Sequence, residues 1–387
     1  MDRRYFLQSI LTFTTLQLLV GCGSKQQTQL RVNFLKNSIP GRVVNQFSRS
    51  FKQKPQLKFS PVEELQTIFQ QLKKWQQPPK KDKEQGWNIS LPFWRSQPSK
   101  VADIVTMGNY WLDVAIQQDL IQPLDVAKIA NWSKLPAQWQ QLVTRNQKGE
   151  LDSQGEVWAA PYRWGTTMIV YRRDKFAQLG WKPQDWSDLW REELRARISV
   201  LNHPREVIGL VLKKLGKSYN TEDFESVTEL ESQLRSLNQQ VKFYSSDKYL
   251  EPLLIKDTWL AVGWSSDILP VIARNPKLGA LIPKSGTALW ADMWVRPRKT
   301  ASTNTDEQNL SYQWINFCWQ VENAKQITLL AKTNSPIPNQ IKPGEVQKPL
   351  RDILLNDGVL QTSEFIRLLA PEVNAKYEAL FAKVTKI

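Results

Sequence analysis

Residues 157–171 restrict the fold more than any other stretch of the chain. The run is long, apolar and extended, and it carries Gly165 in its middle. It reads as a crossing between two lobes. The segments around it alternate between the two-residue period of strands and the 3.6-residue period of helices. Residues 30–34 read as a first strand. Residues 40–51 have helical spacing at Val43, Val44, Phe47 and Phe51. Residues 56–59 fit a second strand, 62–75 a second helix, 102–106 a short buried strand and 110–117 a helix. This β-α-β-α-β order predicts an α/β protein with an open, mainly parallel sheet covered by helices.

The pattern resumes after the crossing. Residues 198–201 read as a strand and 204–215 as a helix, with Pro204 in the first turn. Residues 224–237 read as a further helix. Residues 259–264 form an apolar strand ending at Ser265-Ser266-Asp267, a helix N-cap cluster. Strands at 278–282 and 288–295 follow, then helices at 310–319 and 324–330. Residues 76–100 contain Pro78-Pro79-Lys80-Lys81 and read as a loop or insertion.

The N-terminus bears on compartment. Arg3-Arg4 precede an apolar stretch over residues 5–20, which ends in Leu19-Val20-Gly21 before Cys22. A charged start, a short apolar core and small residues ahead of a cut site make residues 1–21 a secretory signal. The core is too short and too rich in Thr and Gln for a membrane span, which needs about 20 apolar residues. Cys22 after Leu-Val-Gly resembles a bacterial lipobox, whose thiol is diacylated. Arg3-Arg4-Tyr5-Phe6-Leu7 resembles a twin-arginine signal, although an ordinary pair of leader charges fits equally well. Residues 22–29 read as a tether. The expected location is periplasmic, anchored to a membrane by the N-terminal lipid. Cys318, the one other cysteine, lies in an apolar helical pattern and is expected to be a buried hydrophobe.

Composition narrows the function classes. Lys and Arg number 52 against 37 Asp and Glu, a net charge of +15. In an exported protein this suggests attraction to anionic lipid or envelope polymers. No helix-turn-helix, zinc finger or basic-aromatic repeat supports nucleic-acid binding. One histidine, no Gly-x-Ser-x-Gly and no metal-ligand spacing argue against an enzyme, a metal or a cofactor. Only the acids Glu206 and Asp292 could in principle act as a glycosidase pair. The 17 tryptophans exceed what a core of this size needs, so some are expected to line a cleft.

The densest local chemistry is Gly286-Thr287-Ala288-Leu289-Trp290-Ala291-Asp292. Strand alternation puts Trp290 and Asp292 on one face. An indole face beside a carboxylate is the chemistry that holds an organic ammonium ion, with a cation–π contribution of roughly 0.5–2 kcal/mol. A core tryptophan beside a strand-ending acid reads equally well from the local pattern.

The ordered set of motifs resembles the bacterial periplasmic spermidine/putrescine-binding proteins, within the extracellular solute-binding proteins. The segments that carry it are Ala102-Asp103-Ile104-Val105, Gly108-Asn109-Tyr110, Asp119-Leu120-Ile121-Gln122-Pro123-Leu124-Asp125, and Pro161-Tyr162-Arg163-Trp164-Gly165-Thr166-Thr167. Arg205-Glu206-Val207-Ile208, Pro283-Lys284-Ser285-Gly286 running on to Trp290 and Asp292, Ile315-Asn316-Phe317 and Pro336-Ile337-Pro338-Asn339 complete it. The resemblance implies a two-lobe periplasmic binding protein fold with an interlobe ligand cleft. Lobe 1 would hold residues 30–160 and about 288–332. Lobe 2 would hold about 166–286 and about 335–387. It implies a monomeric receptor that delivers a polyamine-like cation to the permease and ATPase subunits of an ABC importer.

The ligand-binding positions carried over are Tyr110, Glu206, Trp264, Trp290 and Asp292. Glu206 and Asp292 would neutralise two amines, and the three rings would pack on the alkyl chain. Trp164, Thr166 and His203 would line the cleft or hinge, and His203 reads equally as a surface residue next to Pro204. The chain departs from the family pattern at Leu35, Ser38, Asn202, Ser285 and Ser335, where aromatics or acids are usual. An anion or monocation receptor of the same fold, or an envelope protein that keeps the fold without transport, remains open from the sequence.

Overall fold

A single strand, Ala160–Arg172, runs through the middle of the molecule, and all of its residues are buried. Residues 160–166 pair antiparallel with strand Ala288–Pro297, and residues 167–171 pair antiparallel with strand Leu260–Trp264. One chain segment therefore belongs to both halves of the sheet. The computed structural model describes residues 28–77, 101–299, 305–338, 341–348, 350–354 and 358–385. The leader, Cys22, most of the tether and nearly all of the Pro/Lys-rich segment lie outside the described residues. Gln29 already belongs to the first strand.

The main sheet runs in the order Gln56–Val62, Gln29–Leu35, Ile104–Gly108, Ala288–Pro297, Ala160–Arg172, Leu260–Trp264, Ile198–Val200 and Val241–Tyr244. Its two outer groups are parallel, as the β-α-β pattern predicts. The expectation of a mainly parallel sheet is corrected at the centre, where neighbours are antiparallel. Helical crossovers return the chain to the same end of a sheet and produce parallel neighbours. The two central strands instead pass between the halves, and so meet their neighbours running the other way.

Each half has its own core. Around the first group, Val32, Ile104, Trp139, Met293, Trp314 and Trp319 belong to one cluster. In the second half, alternation along the central strand splits the packing. Ile169 and Tyr171 join Trp186, Val207 and Phe381 on one face, while Met168 and Val170 join Tyr249, Ile268 and Ile353 on the other. Two-residue periodicity thus assigns successive side chains to opposite cores. Much of the tryptophan excess is structural: Trp139, Trp186, Trp294, Trp314 and Trp319 are fully buried. Cys318 is buried and free, as its pattern suggested.

Local differences have local causes. The helix expected at 110–117 opens with a 3-10 turn, Asn109–Trp111, before Leu112–Gln117. That at 224–237 divides into Phe224–Ser226 and Leu230–Gln240. The expected N-cap cluster is corrected: the helix Ser265–Ile272 starts at Ser265, and its N-cap is Trp264, without a side-chain cap. Ser265 Oγ instead accepts the Thr166 N–H at 3.0 Å, tying the helix to the central strand.

Candidate functional site

The central strands determine which side chains meet in the cleft. Cross-strand register sets Trp290 opposite Gly165 and Asp292 opposite Arg163. The same parity brings the buried Thr167 against Glu206. A methyl group at Gly165 would overlap the Trp290 ring and Ser265 Oγ, so glycine here makes room for the indole. Trp164 and Thr166 have the opposite parity. Trp164 packs against Trp139 at 5.6 Å within the first core, and Thr166 is 1% exposed. Of the expected cleft or hinge positions, these two therefore lie on the crossing strand and not in the cleft wall.

The cleft has a volume of about 560 Å³. Tyr110, His203, Glu206, Trp264, Trp290 and Asp292 all line it. Glu206 stands in the first turn of helix Pro204–Lys214 and is 5% exposed. Its carboxylate accepts the Thr167 hydroxyl and the Trp264 indole N–H, each at 2.8 Å. Burial pushes its pKa upward, and those two hydrogen bonds with Arg205 offset the rise only in part. Complementing the helix dipole does not require such partners from two other strands. Trp264 is half-buried and has a double duty, fixing Glu206 and presenting its ring to the cleft.

Asp292 is 2% exposed and already carries a counter-ion. Arg163 donates to its Oδ2 from Nε at 2.7 Å, and Nη2 lies 2.6 Å from the same oxygen. The guanidinium also lies 5.4 Å from the centroid of the Trp290 ring. Burial opposes the charge on Arg163, but the Asp292 carboxylate outweighs it and keeps the guanidinium protonated. The sequence reading missed Arg163 as a site residue. A usable signal was its odd parity with Gly165, in an apolar strand where a lone cation needs an anion.

His203 occupies the N-cap position of helix Pro204–Lys214 without capping it through its side chain. Its ring meets Trp264 edge-on, with centroids 6.4 Å apart. Burial and then the nearby Arg205 charge lower its pKa from 6.5 to about 4, so it is a neutral wall at pH 7. This depressed value has a stability consequence. The unfolded chain takes up a proton below 6.5 that the folded chain refuses until about 4. Stability contributed by neutral His203 is complete above 6.5 and is lost as pH falls toward 4. His203→Gln should flatten melting temperature over that window, removing about 2–3 kcal/mol of pH dependence. Parallel melting curves for the two proteins would exclude this role.

A profile of the bacterial extracellular solute-binding proteins matches residues 99–352. The chain belongs to this family. The family is one of binding proteins, not of enzymes. Among relatives of this binding protein, a putrescine/cadaverine-binding protein of Pseudomonas aeruginosa is 27% identical over 247 residues. That alignment takes in 60% of this chain and 65% of the relative. A spermidine/putrescine-binding periplasmic protein of Escherichia coli is 26% identical over 238 residues, covering 61% of this chain and 63% of that one. The binding protein thus spans just under two thirds of the length of these relatives. A spermidine/putrescine ABC transporter substrate-binding protein from Streptococcus pneumoniae shares the fold at a TM-score of 0.75 and 21% identity, covering 93% of this chain and 99% of that structure. The binding protein therefore has the two-lobe periplasmic binding fold.

Two of the positions at which the sequence departs from the resemblance, Ser38 and Ser285, have structural partners. Ser38 is fully buried and accepts the Tyr162 hydroxyl at 2.8 Å. Ser285 Oγ donates to Asp185 at 2.6 Å. Leu35 lines the cleft. The sequence reading also missed acids at the cleft mouth. Glu63 and Glu64 come from the turn after strand Gln56–Val62, Asp247 from the loop after strand Val241–Tyr244, and Asp267 from helix Ser265–Ile272.

Proposed function

We propose that this binding protein is the extracytoplasmic receptor of an ABC importer for small organic ammonium ions, the class that includes putrescine and spermidine. One observation carries the reading: among the described residues, Glu63, Glu64, Glu206, Asp247, Asp267 and Asp292 line the cleft, with the Arg163 guanidinium in its wall and Lys36 paired to Glu63 at its edge. The chain as a whole is at +15. A cleft so acidic in so basic a protein concentrates cations locally against the overall charge. Tyr110, Trp111, Trp264 and Trp290 add aromatic faces that suit methylene groups and ammonium carbons. Putrescine, cadaverine and spermidine, for which those relatives are named, belong to the same chemical class. Residues 30–160 with about 288–332, and about 166–286 with about 335–387, would be the lobes that close on the ligand. A monomer would then pass it to a permease and its ATPase.

Thermal melting in a panel of amines, amino acids, sugars and anions tests the assignment. A true ligand at 100 times its dissociation constant adds about 2.7 kcal/mol of stability. Absence of a shift with every amine at millimolar concentration would sink it. Membrane attachment through Cys22 belongs to the same proposal. Cys22→Ser should release the protein from the membrane fraction, and unchanged membrane association would count against the lipid anchor.

A further inference from the structure

The Trp290/Asp292 pair has the chemistry of a box for an organic cation, and Arg163 fills it. The guanidinium makes both contacts that a ligand ammonium would make there. It holds Asp292 Oδ2 through Nε and Nη2 at 2.7 and 2.6 Å, and it lies 5.4 Å from the Trp290 ring centroid. The arrangement is built into the sheet, since Arg163 and Asp292 are register partners and Gly165 leaves space for the indole beside them. Arg163 and Asp292 are 4% and 2% exposed. We propose that Arg163 is an internal substitute for one ammonium group, and that the cleft is selective for organic cations with a single ammonium centre seated at Glu206.

This inference rests on the reading of the cleft as a cation site and narrows its ligand class. The two buried acids of the cleft are not equivalent. Asp292 is neutralised by a fixed cation. The hydrogen bonds to Glu206 come from neutral donors, Thr167 and Trp264, so its charge is left for a ligand. A second ammonium that reached the box would meet an occupied carboxylate and a like charge. Displacing Arg163 would leave a guanidinium buried without its anion, which is strongly unfavourable. The acids at the cleft mouth attract any cation, whereas the occupied box discriminates by the number of charges.

Calorimetric titration with length-matched amines tests this. The pairs are n-butylamine with putrescine, and n-pentylamine with cadaverine. In the wild type each diamine should bind no more tightly than its monoamine. In Arg163→Ala the diamines should gain at least about tenfold, a change of 1.4 kcal/mol, while the monoamines stay within about threefold. Arg163→Ala/Asp292→Asn, with an uncharged box, should lose that diamine gain. If the single variant does not fold, the wild-type ratio still decides. Diamines that bind the wild type tenfold or more above the monoamines would overturn the inference and leave the cation reading standing. A folded Arg163→Ala with no diamine gain would do the same. Failure of every amine to bind any of the proteins would remove both.

Discussion

Asp292→Ala is expected to cost about 3–5 kcal/mol of stability, the usual penalty for removing one partner of a buried ion pair. The cause is the charge left behind. Arg163 is 4% exposed, its Nε donates to Asp292 Oδ2, and its Nη2 lies against the same oxygen. Without the carboxylate the guanidinium has to stay buried and charged or pull the central strand apart to reach water. Removing both charges is expected to be far milder, because a buried pair roughly balances desolvation against attraction. The Arg163→Met/Asp292→Ala double variant should therefore recover most of the loss. A double-mutant cycle by chemical denaturation measures the coupling directly. A loss under about 1 kcal/mol for Asp292→Ala would show that the pair is not the structural element described. Because the single change acts on the fold, any weaker response of Asp292→Ala to amines cannot alone identify Asp292 as a ligand contact.

Much of the fold could be read along the chain because its physics is local. A long apolar run marked the central strand, and helical spacing marked the crossovers. The ring and acid of Trp290 and Asp292 share a face, as a two-residue period requires. The antiparallel centre of the sheet was not visible, because strand direction depends on where the chain re-enters and not on the residues of the strand. Parity was available but went unused for residues 163–167. It sets Arg163, Gly165 and Thr167 on the face that meets Asp292, Trp290 and Glu206 and sends Trp164 to the core, where it meets Trp139.

The site was legible as a set of residue types and much less as a set of pairings. Glu206 and Trp264 are 58 positions apart, and only the folded sheet joins them. The Arg163–Asp292 pair spans 129 positions. Resemblance to a family supplied the positions but not the Arg163 partner that Asp292 has in the folded sheet. The same limit hid the acids at the mouth. Glu63, Glu64, Asp247 and Asp267 are surface-type residues in turns or a helix start, with no local pattern to set them apart. Their convergence on one cleft is a property of lobe placement.

Glu206→Gln is expected to weaken amine binding by about 2–3 kcal/mol, roughly 30- to 150-fold, while leaving the fold intact. Glutamine is close to isosteric, and its amide can still accept from Trp264 and bond Thr167. What it removes is the charge. In the ligand-free protein that charge is a burden, because burial raises the Glu206 pKa above its usual 4.5. For a carboxyl raised in this way, the contribution to stability is complete below 4.5 and is lost as pH rises through the raised value. Glutamine removes this loss, so the ligand-free variant should be the more stable protein at pH 7. His203 acts with the opposite slope between 6.5 and about 4, which is why the two positions need separate variants. A bound ammonium reverses the sign for Glu206, since it favours the carboxylate and draws the pKa back down. Amine-induced stabilisation should therefore grow with pH across the window in which the ligand-free protein weakens. Melting curves at pH 4–8 with and without amine, for wild type and Glu206→Gln, contain the whole test. Wild-type affinity in the variant, or a ligand effect independent of pH, would remove Glu206 as the seat of the cation.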